Sequence, residues 1–497
     1  MSRVVVVGAG VGGLAAAARL AALGHDVELV EQAETVGGKL GRYERDGFVF
    51  DTGPSLLTLP ATFRDLFMKT RKHRRDPAFD DAVELVPLDP VARYRFADGT
   101  LLDLPGGDLP QIRAAIDAAL GAGAGDDWLH LLAHAERVWD VTRRPFVESA
   151  LDGPSTLLRL AARQPGDLLT VAPWRSLRDV GRRHLRDPRL RLLLDRYATY
   201  TGSDPRRAPA ALAVVPYVEQ RFGAWYVRGG LHRITDALHE RAVSCGVRIR
   251  TGATVTVITT AGGRVDGVRL GDREHLPADV VVSDVDARRL YAELLPRTDQ
   301  LRRLSRATPS LSGFVLLLGI RGRTPGTAHH TVLFPADYDA EFDAIFGREP
   351  RPVDDPTIYV SAPDDASLAP PGAQAWFVLV NAPRHDPARG VDWDAPGLAA
   401  GYADRLLALM ADRGLDVRDR LACYEWRTPA DLERATCSPG GSIYGTSSNG
   451  ARAAFLRPAN RSPVPGLFLV GGSAHPGGGL PLVAQSAAIV AGLIGPA

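Results

Sequence analysis

The first residues of the chain decide its fold: Arg3-Val4-Val5-Val6-Val7-Gly8-Ala9-Gly10-Val11-Gly12-Gly13. The β-branched run is typical of a buried parallel strand, and the glycines after it favour a tight turn. Leu14 to Leu23 is rich in alanine and leucine and predicts a helix that Gly24 ends. Asp26 to Val30 predicts a second buried strand. Together these segments predict a βαβ unit with a glycine-rich turn before its helix.

The spacing of the glycines is that of a dinucleotide-binding turn, to which Gly12 also belongs. Gly8 allows the sharp turn, Gly10 lets the backbone approach a diphosphate, and Gly13 lets the helix pack closely on the strand. The first turn of the helix offers free N–H groups and a partial positive charge to the phosphates. Glu31 ends the second strand, where a carboxylate bonds ribose hydroxyls and disfavours the 2′-phosphate of NADP. The alternatives are a turn without a ligand and a solvated acid at the end of a strand.

A second glycine pair follows in Gly37-Gly38-Lys39-Leu40-Gly41-Arg42. A glycine pair with a basic residue just after a βαβ unit is typical of flavoproteins with two dinucleotide-binding domains. We therefore expect FAD rather than NAD. Lys39 and Arg42 are candidates for contacts with its phosphates or its ring, and the alternative is that both are surface cations.

The C-terminal end contains a second strand, glycine-rich loop and helix in succession. Leu467 to Val470 predicts a short buried strand, Gly471 to Gly479 a glycine-rich loop, and Leu480 to Ile494 a helix. Strand, loop and helix N-terminus again form a place where an anion can bind. We expect the two ends of the chain to come together around one flavin.

Two motifs resemble one family closely: Phe50-Asp51-Thr52-Gly53-Pro54-Ser55 and His475-Pro476-Gly477-Gly478-Gly479-Leu480-Pro481. They are similar to the "FDTGPS" and "HPGGGxP" motifs of the phytoene-desaturase-type family of bacterial carotenoid enzymes, and the resemblance covers nearly the whole chain. It implies an α/β fold, that of a two-dinucleotide-binding-domain flavoprotein, in which a Rossmann-like FAD domain is interleaved with an α+β substrate domain. The expected FAD domain is residues 1–80, 226–290 and 436–497, and the expected substrate domain is 81–225 and 291–435.

The resemblance also implies which residues form the site. For catalysis it points to Arg42, Tyr226 and His475, although His475 could equally be a loop histidine bonded to backbone. The residues that it places at the cofactor, together with those of the N-terminal turn, are Gly8, Gly10, Gly12, Gly13, Glu31, Gln32, Gly38, Lys39, Arg42, Pro54, Ser55, Leu56, Val255, Gly471, Gly472, Gly479, Leu480, Pro481, Leu482 and Val483.

The activity that the resemblance implies is FAD-dependent desaturation of a long isoprenoid such as phytoene or a hydroxylated carotenoid. A hydride would pass to N5 of the flavin. The alternatives on the same motifs are a carotenoid isomerase or ketolase, or a desaturase of another terpenoid. A non-catalytic isoprenoid carrier and an amine oxidase are further alternatives from other functional classes.

An insoluble hydrocarbon substrate implies contact with a membrane surface. Leu157 to Arg163 and Leu168 to Trp174 are apolar, and arginines are frequent from Arg175 to Arg191. Such a basic amphipathic region suits an interfacial segment on anionic lipid, and it equally suits a solvated helical face. No stretch of the sequence is long and apolar enough to span a bilayer, so the expected location is cytoplasmic and peripheral to a membrane.

The composition excludes several other partners. The net charge of +1 over 497 residues gives no reason to expect a nucleic acid. The three cysteines, Cys245, Cys423 and Cys437, form no CxxC pair, which argues against a zinc site and favours a reducing compartment. His329 and His330 are adjacent, and adjacent side chains of a strand point to opposite faces. We therefore expect no metal.

Replacing Gly10 with valine should abolish FAD binding, because the new side chain would occupy the place of the diphosphate. The purified variant should be colourless, with no flavin absorption bands. A Gly10→Val protein that stays yellow would contradict the assignment of this turn.

Overall fold

The computed structural model describes residues 1–73, 75–151, 165–450 and 452–497. In chain order the strands are β1 Arg3–Val7, β2 Asp26–Val30, β3 Arg42–Arg45, β4 Phe48–Asp51, β5 Leu57–Thr58, β6 Leu85–Pro87, β7 Ala92–Arg95, β8 Leu101–Leu104, β9 Ala224–Val227, β10 Arg248–Arg250, β11 Val255–Ala261, β12 Arg264–Leu270, β13 Glu274–Pro277, β14 Val280–Ser283, β15 Ser312–Arg321, β16 His330–Leu333, β17 Ile358–Ser361, β18 Ala373–Ala382, β19 Leu421–Arg427 and β20 Leu467–Leu469.

The α-helices of the same residues alternate with these strands, which gives the mixed architecture that the sequence predicts. In chain order they are α1 Val11–Ala22, α2 Ala61–Lys69, α3 Phe79–Ala82, α4 Leu109–Leu120, α5 Ala124–Thr142, α6 Pro165–Val171, α7 Leu177–His184, α8 Pro188–Arg196, α9 Val214–Phe222, α10 Arg233–Ser244, α11 Ala287–Arg289, α12 Thr298–Leu304, α13 Tyr338–Phe346, α14 Leu398–Asp412, α15 Pro429–Thr436, α16 Ala453–Leu456 and α17 Leu480–Ile494.

A parallel five-stranded sheet, in the order β10-β2-β1-β14-β20, forms the nucleotide-binding half of the molecule. Strand β1 lies between β2 and β14, and Val6 pairs with Leu29 on one side and Val282 on the other. Strand β20, close to the C-terminus, pairs in parallel with β14. The carboxyl ends of strands from both ends of the chain therefore meet at one edge of the sheet, where ligands of open α/β sheets bind.

Helix α1 begins at Val11, earlier than the alanine-rich run alone predicts. The glycines belong to its first turn, and a Cβ atom on Gly13 would overlap the carbonyl oxygen of Gly8. The absence of that Cβ atom is what lets the helix press against the end of β1. Its small residues, such as Ala16 and Ala17, are buried, and the helix packs against the C-terminal helix α17 and against α10. The α/β prediction, with the two ends of the chain packed together, is confirmed.

A seven-stranded mixed sheet, in the order β19-β15-β18-β17-β16-β7-β8, forms the second half. Its strands β7 and β8 precede the return to the nucleotide half, and its other strands come from residues 312–427. The fold is thus interleaved. The boundaries of the predicted domains stay a prediction.

Candidate functional site

A cavity of about 860 Å³ begins at the carboxyl edge of the parallel sheet and continues between the two halves of the molecule. Most residues predicted to hold the cofactor line it, although they come from four separate parts of the chain. They are Gly8, Gly10, Gly12, Glu31, Gln32, Gly38, Lys39, Pro54, Ser55, Leu56, Val255, Gly472, Gly479, Leu480, Pro481, Leu482 and Val483. The first turns of α1 and of α17 both face this cavity, so two helix N-termini direct their positive ends towards it.

Glu31 follows β2 and is anchored beside the glycine turn. Its Oε2 accepts a hydrogen bond from the N–H of Ala9 at 2.7 Å, and its Oε1 accepts one from the N–H of Ala33 at 2.9 Å. Each carboxylate oxygen has a further lone pair. The carboxylate is thus held at the cavity with acceptor capacity left for hydroxyl groups of a ligand.

Lys39 ties the second glycine pair to the C-terminal segment. Its Nζ donates to the carbonyl oxygens of Ser442, at 2.9 Å, and Ile443, at 2.7 Å. Burial lowers the pKa of Lys39 to about 8, while the charges of Asp286 and Asp284 oppose this shift. An ammonium group has three N–H donors, so one remains for a ligand.

Asp284 lies against the glycine turn and is not among the residues predicted from the sequence. A Cβ atom on Gly10 would lie 2.5 Å from its Oδ2, and one on Gly12 would lie 2.6 Å from its Oδ1. Burial raises the pKa of Asp284 to about 7. Its position after the parallel strand β14, beside β1, is the pattern that could have identified it, because ligands bind at this edge.

Gly13, Gly471 and Arg42 are predicted cofactor residues that do not line the cavity. Gly13 serves the packing of α1. A Cβ atom on Gly471, which has a φ angle of +89°, would collide with Asp284. Arg42 lies on the edge hairpin β3-β4 with its side chain half exposed and paired with Glu44.

The structure does not bring the three predicted catalytic side chains together in the cavity. The Tyr226 hydroxyl donates to Oδ2 of Asp365 at 2.9 Å, and the centre of the Tyr226 ring lies 4.7 Å from that of the His329 ring. The Nε2 of His475 lies 2.9 Å from the carbonyl oxygen of Ser149 and donates to it. Burial lowers the pKa of His475 to about 4, so the ring is neutral at pH 7. Neither side chain lines the cavity, nor does Arg42, and their catalytic roles stay predictions.

The part of the cavity beyond the glycine motifs has a different chemistry. Its wall is mainly apolar, and this part includes Trp139, Phe146, Val171, Leu212, Val215, Phe377 and Leu379. A group of polar side chains interrupts that wall: Ser55, Arg196, Tyr200, Glu219 and Tyr359. Of these, only Ser55 is among the residues predicted from the sequence. The other four come from positions 196–359, and no local sequence pattern indicates that they lie together in space.

Side chains with the spacing of metal ligands do occur in the described part of the chain, outside this cavity. Ligand atoms of His385, Asp392 and Asp394 lie within 4.8 Å of one another. Arg434 already pairs with Asp394 at 2.8 Å. His329 and His330 do not form such a group with any other described residue.

The residues present fit FAD. The glycine turn has no side chain that would block a diphosphate, Glu31 is positioned for hydroxyl groups, and Lys39 keeps one free donor. The glycine loop before α17 supplies the second helix N-terminus at the same cavity.

The affinity for FAD should fall as the pH rises through about 7, because ionised Asp284 would repel the diphosphate whereas the neutral carboxyl would not. Asp284→Asn should remove this dependence between pH 6 and pH 8. Titration of the apoprotein with FAD, followed by flavin fluorescence, measures both. An Asp284→Asn protein with the same pH dependence as the wild type would contradict this role of Asp284.

Comparison with known proteins agrees with this geometry. The family model "Flavin containing amine oxidoreductase" matches residues 11–494. The chain is 36% identical to a 4,4'-diapolycopene oxygenase of Methylomonas sp, over 98% of this chain and 97% of that protein. It is 35% identical to a zeta-carotene-forming phytoene desaturase of Myxococcus xanthus, over 98% and 93%. Putrescine oxidase bound to putrescine has a similar fold, with a TM-score of 0.64 at 15% identity over 99% of this chain and 98% of that one. The chain belongs to the flavin containing amine oxidoreductases, the family whose cofactor the two glycine motifs are built to hold.

Proposed function

We propose that the protein is an FAD-dependent desaturase of long isoprenoid chains of the carotenoid type. The observation that supports this proposal is the continuity of the cavity, which runs without a break from the glycine motifs into an apolar compartment. An aliphatic polyene has almost no polar groups, and apolar walls compensate for its removal from water. The relatives named as phytoene desaturase and diapolycopene oxygenase support the same substrate class.

Desaturation removes one hydride and one proton from two adjacent carbons and leaves a double bond between them. When bound, FAD supplies the acceptor for the hydride. The apolar walls, including Leu212, Val215 and Leu379, hold the chain in line with the flavin site and exclude water from the cation that hydride loss creates. The cation is stabilised by conjugation, so a weak base suffices for the proton.

An amine oxidase is less compatible with the charge of the cavity. The rings of Tyr94, Tyr200 and Tyr359 surround Arg196, a cation of the protein itself that lines the cavity. A second cation, such as a substrate ammonium group, would be repelled there. Oxygenation of the same polyene is the second candidate function, because one of the relatives is named an oxygenase.

Product analysis distinguishes these functions. The FAD-loaded protein, mixed anaerobically with phytoene or lycopene in liposomes, should reduce its flavin and give a product with more conjugated double bonds. The product's absorption should shift to the red, and its mass should fall by about 2 Da for each double bond formed. The Gly10→Val protein is the control. Gain of oxygen under air would favour the oxygenase, whereas flavin reduction by putrescine alone would contradict the proposal.

We also propose that the cavity is loaded from a membrane surface. Leu169 and Trp174 are 70% and 59% exposed, and between them lie Val171 and Pro173, which line the cavity. Phe222 is also exposed, and its ring lies 6.3 Å, centre to centre, from that of Trp139, which lines the same cavity. Large exposed apolar side chains around an apolar cavity are typical of a surface that contacts lipid.

This membrane contact does not require a spanning helix. None of the helices in residues 1–73, 75–151, 165–450 and 452–497 is long and apolar enough to cross a membrane. Of the predicted interfacial region, residues 152–164 lie outside those described, so the prediction for Leu157 to Arg163 has no structural counterpart here.

The double variant Leu169→Asp with Trp174→Asp should have an affinity for vesicles of phosphatidylcholine and phosphatidylglycerol at least about 100-fold lower than the wild type, since each lost apolar contact costs about 1.5–3 kcal/mol and about 1.4 kcal/mol is a factor of ten. Flotation measures the bound fraction. Met68→Asp is the matched control, because Met68 is equally exposed, at 69%, on α2. If the wild type, the double variant and Met68→Asp bind vesicles equally, the surface around Leu169 and Trp174 does not contact the membrane.

A further inference from the structure

One buried cation lies in the apolar part of the cavity. Arg196 is the last residue of α8, is only 8% exposed and lines the cavity. Among the described residues, no carboxylate lies within ion-pair distance of its guanidinium group. An unpaired buried charge is strongly unfavourable unless the surroundings compensate for it. The presence of this charge in an apolar wall therefore indicates a function for Arg196 in the cavity.

Three aromatic rings surround the guanidinium group of Arg196. Its Cζ lies 6.0 Å from the ring centre of Tyr94, 5.4 Å from that of Tyr200 and 5.5 Å from that of Tyr359. Cations over aromatic faces are stabilised by the ring quadrupole. The rings hold Arg196 in place, and most of its N–H groups have no acceptor among the described residues.

The carboxylate of Glu219 is linked to Arg196 through the hydroxyl group of Tyr200. Nη1 of Arg196 donates to the Tyr200 hydroxyl at 3.3 Å, and that hydroxyl donates to Oε2 of Glu219 at 3.3 Å. Tyr197 donates to Oε1 of Glu219 at 2.6 Å. Burial raises the pKa of Glu219, and the hydrogen bond from Tyr197 and the charge of Arg196 oppose that shift.

Most N–H donors of the Arg196 guanidinium group make no hydrogen bond to a described residue. It has five N–H groups, and the hydrogen bond to Tyr200 is the one that its side chain makes to a described residue. None of its nitrogens is a fully buried atom without a partner. Since Arg196 lines the cavity, its remaining N–H groups are available to a molecule inside it.

This polar group lies between the two loops that the family motifs place at the flavin. On one side, the hydroxyl of Tyr359 is 2.6 Å from Oγ of Ser55. On the other side, the ring of Tyr444 lies against Gly478, where it leaves no room for a Cβ atom. Burial raises the pKa of Tyr444 to about 12 against the effect of the Arg196 charge, so Arg196 is close to this ring as well.

We propose that Arg196, with Tyr200 and Glu219, binds an oxygen atom of the substrate, either a hydroxyl or a carbonyl on the isoprenoid chain. This inference rests on the proposed function and narrows its substrate class to oxygen-bearing carotenoids. The oxygen accepts a hydrogen bond from the free N–H groups of Arg196. A plain hydrocarbon would leave these donors unsatisfied, and sites built to hydrogen-bond a substrate oxygen discriminate strongly against analogues without it.

Lycopene and 1-hydroxylycopene, which differ by the addition of water across one terminal double bond, test the inference. The holoenzyme should bind and dehydrogenate the hydroxylated compound about 10- to 100-fold better, the range expected for a hydrogen bond to a charged donor. Arg196→Met should abolish that preference by losing the hydroxylated substrate selectively. Tyr200→Phe keeps the ring and should weaken the preference, which provides a second variant if Arg196→Met does not fold.

Arg221→Met is the matched control, because Arg221 is exposed on α9 and does not line the cavity. It should retain the preference of the wild type. Dissociation constants are measured by quenching of protein fluorescence, and FAD content is measured by absorption. A wild type without preference, or an Arg196→Met protein that keeps it, would overturn the inference. So would loss of FAD from Arg196→Met with both substrates affected equally, which would mean that Arg196 serves the flavin.

Failure of the proposed function gives a different result. If the wild type turns over neither these two compounds nor phytoene, it is not a carotenoid desaturase. The two dissociation constants then still report whether Arg196 recognises the oxygen. If it turns over both equally, the proposed function holds and the inference about Arg196 is wrong.

Discussion

The site depends on one close approach, that of helix α1 to the end of strand β1. Gly13 lies so near the carbonyl oxygen of Gly8 that no other residue fits there. This contact places the first turn of the helix at the carboxyl edge of the parallel sheet, with its N–H groups free and its dipole directed into the cavity. The side chain of Asp284 and the backbone of Gly471 then fit against Gly10 and Gly12 with no space for a further side chain. The backbone at Gly12 and the backbone at Gly471 thus lie close together, which leaves exposed N–H groups for a diphosphate.

The two parts of the cavity use different chemical groups for different ligands. The cofactor part is made of glycine backbone, helix ends and a few anchored charges such as Glu31 and Lys39. The remaining part is made of side chains, and most of them are apolar. A charged diphosphate needs fixed dipoles, whereas a long hydrocarbon needs shape and the exclusion of water. The interleaved chain brings both parts together, because each half of the molecule supplies one wall.

Arg196 is the exception in the apolar part, and its surroundings show how the fold tolerates it. Aromatic rings cover its faces, and Tyr200 links it to Glu219. Removing both charges from water is unfavourable, and replacing buried charges with apolar residues is often neutral or stabilising. Their presence in this wall is consistent with the proposed binding of a substrate oxygen.

The sequence alone determined the local devices: the strand and glycine turn that begin the chain, the helix behind them, and the second glycine loop before α17. Each of these rests on periodicity, on missing side chains or on turn residues, which act over a few neighbouring positions. The family motifs added the expectation that both loops meet one flavin. Tertiary structure decided the rest. It placed Lys39 at the carbonyl oxygens of Ser442 and Ile443, Asp284 at Gly10, and Arg196 among Tyr94, Tyr200 and Tyr359. These partners are separated by up to 404 residues, and such contacts follow from the packing of whole sheets and helices, for which a single sequence has no local pattern.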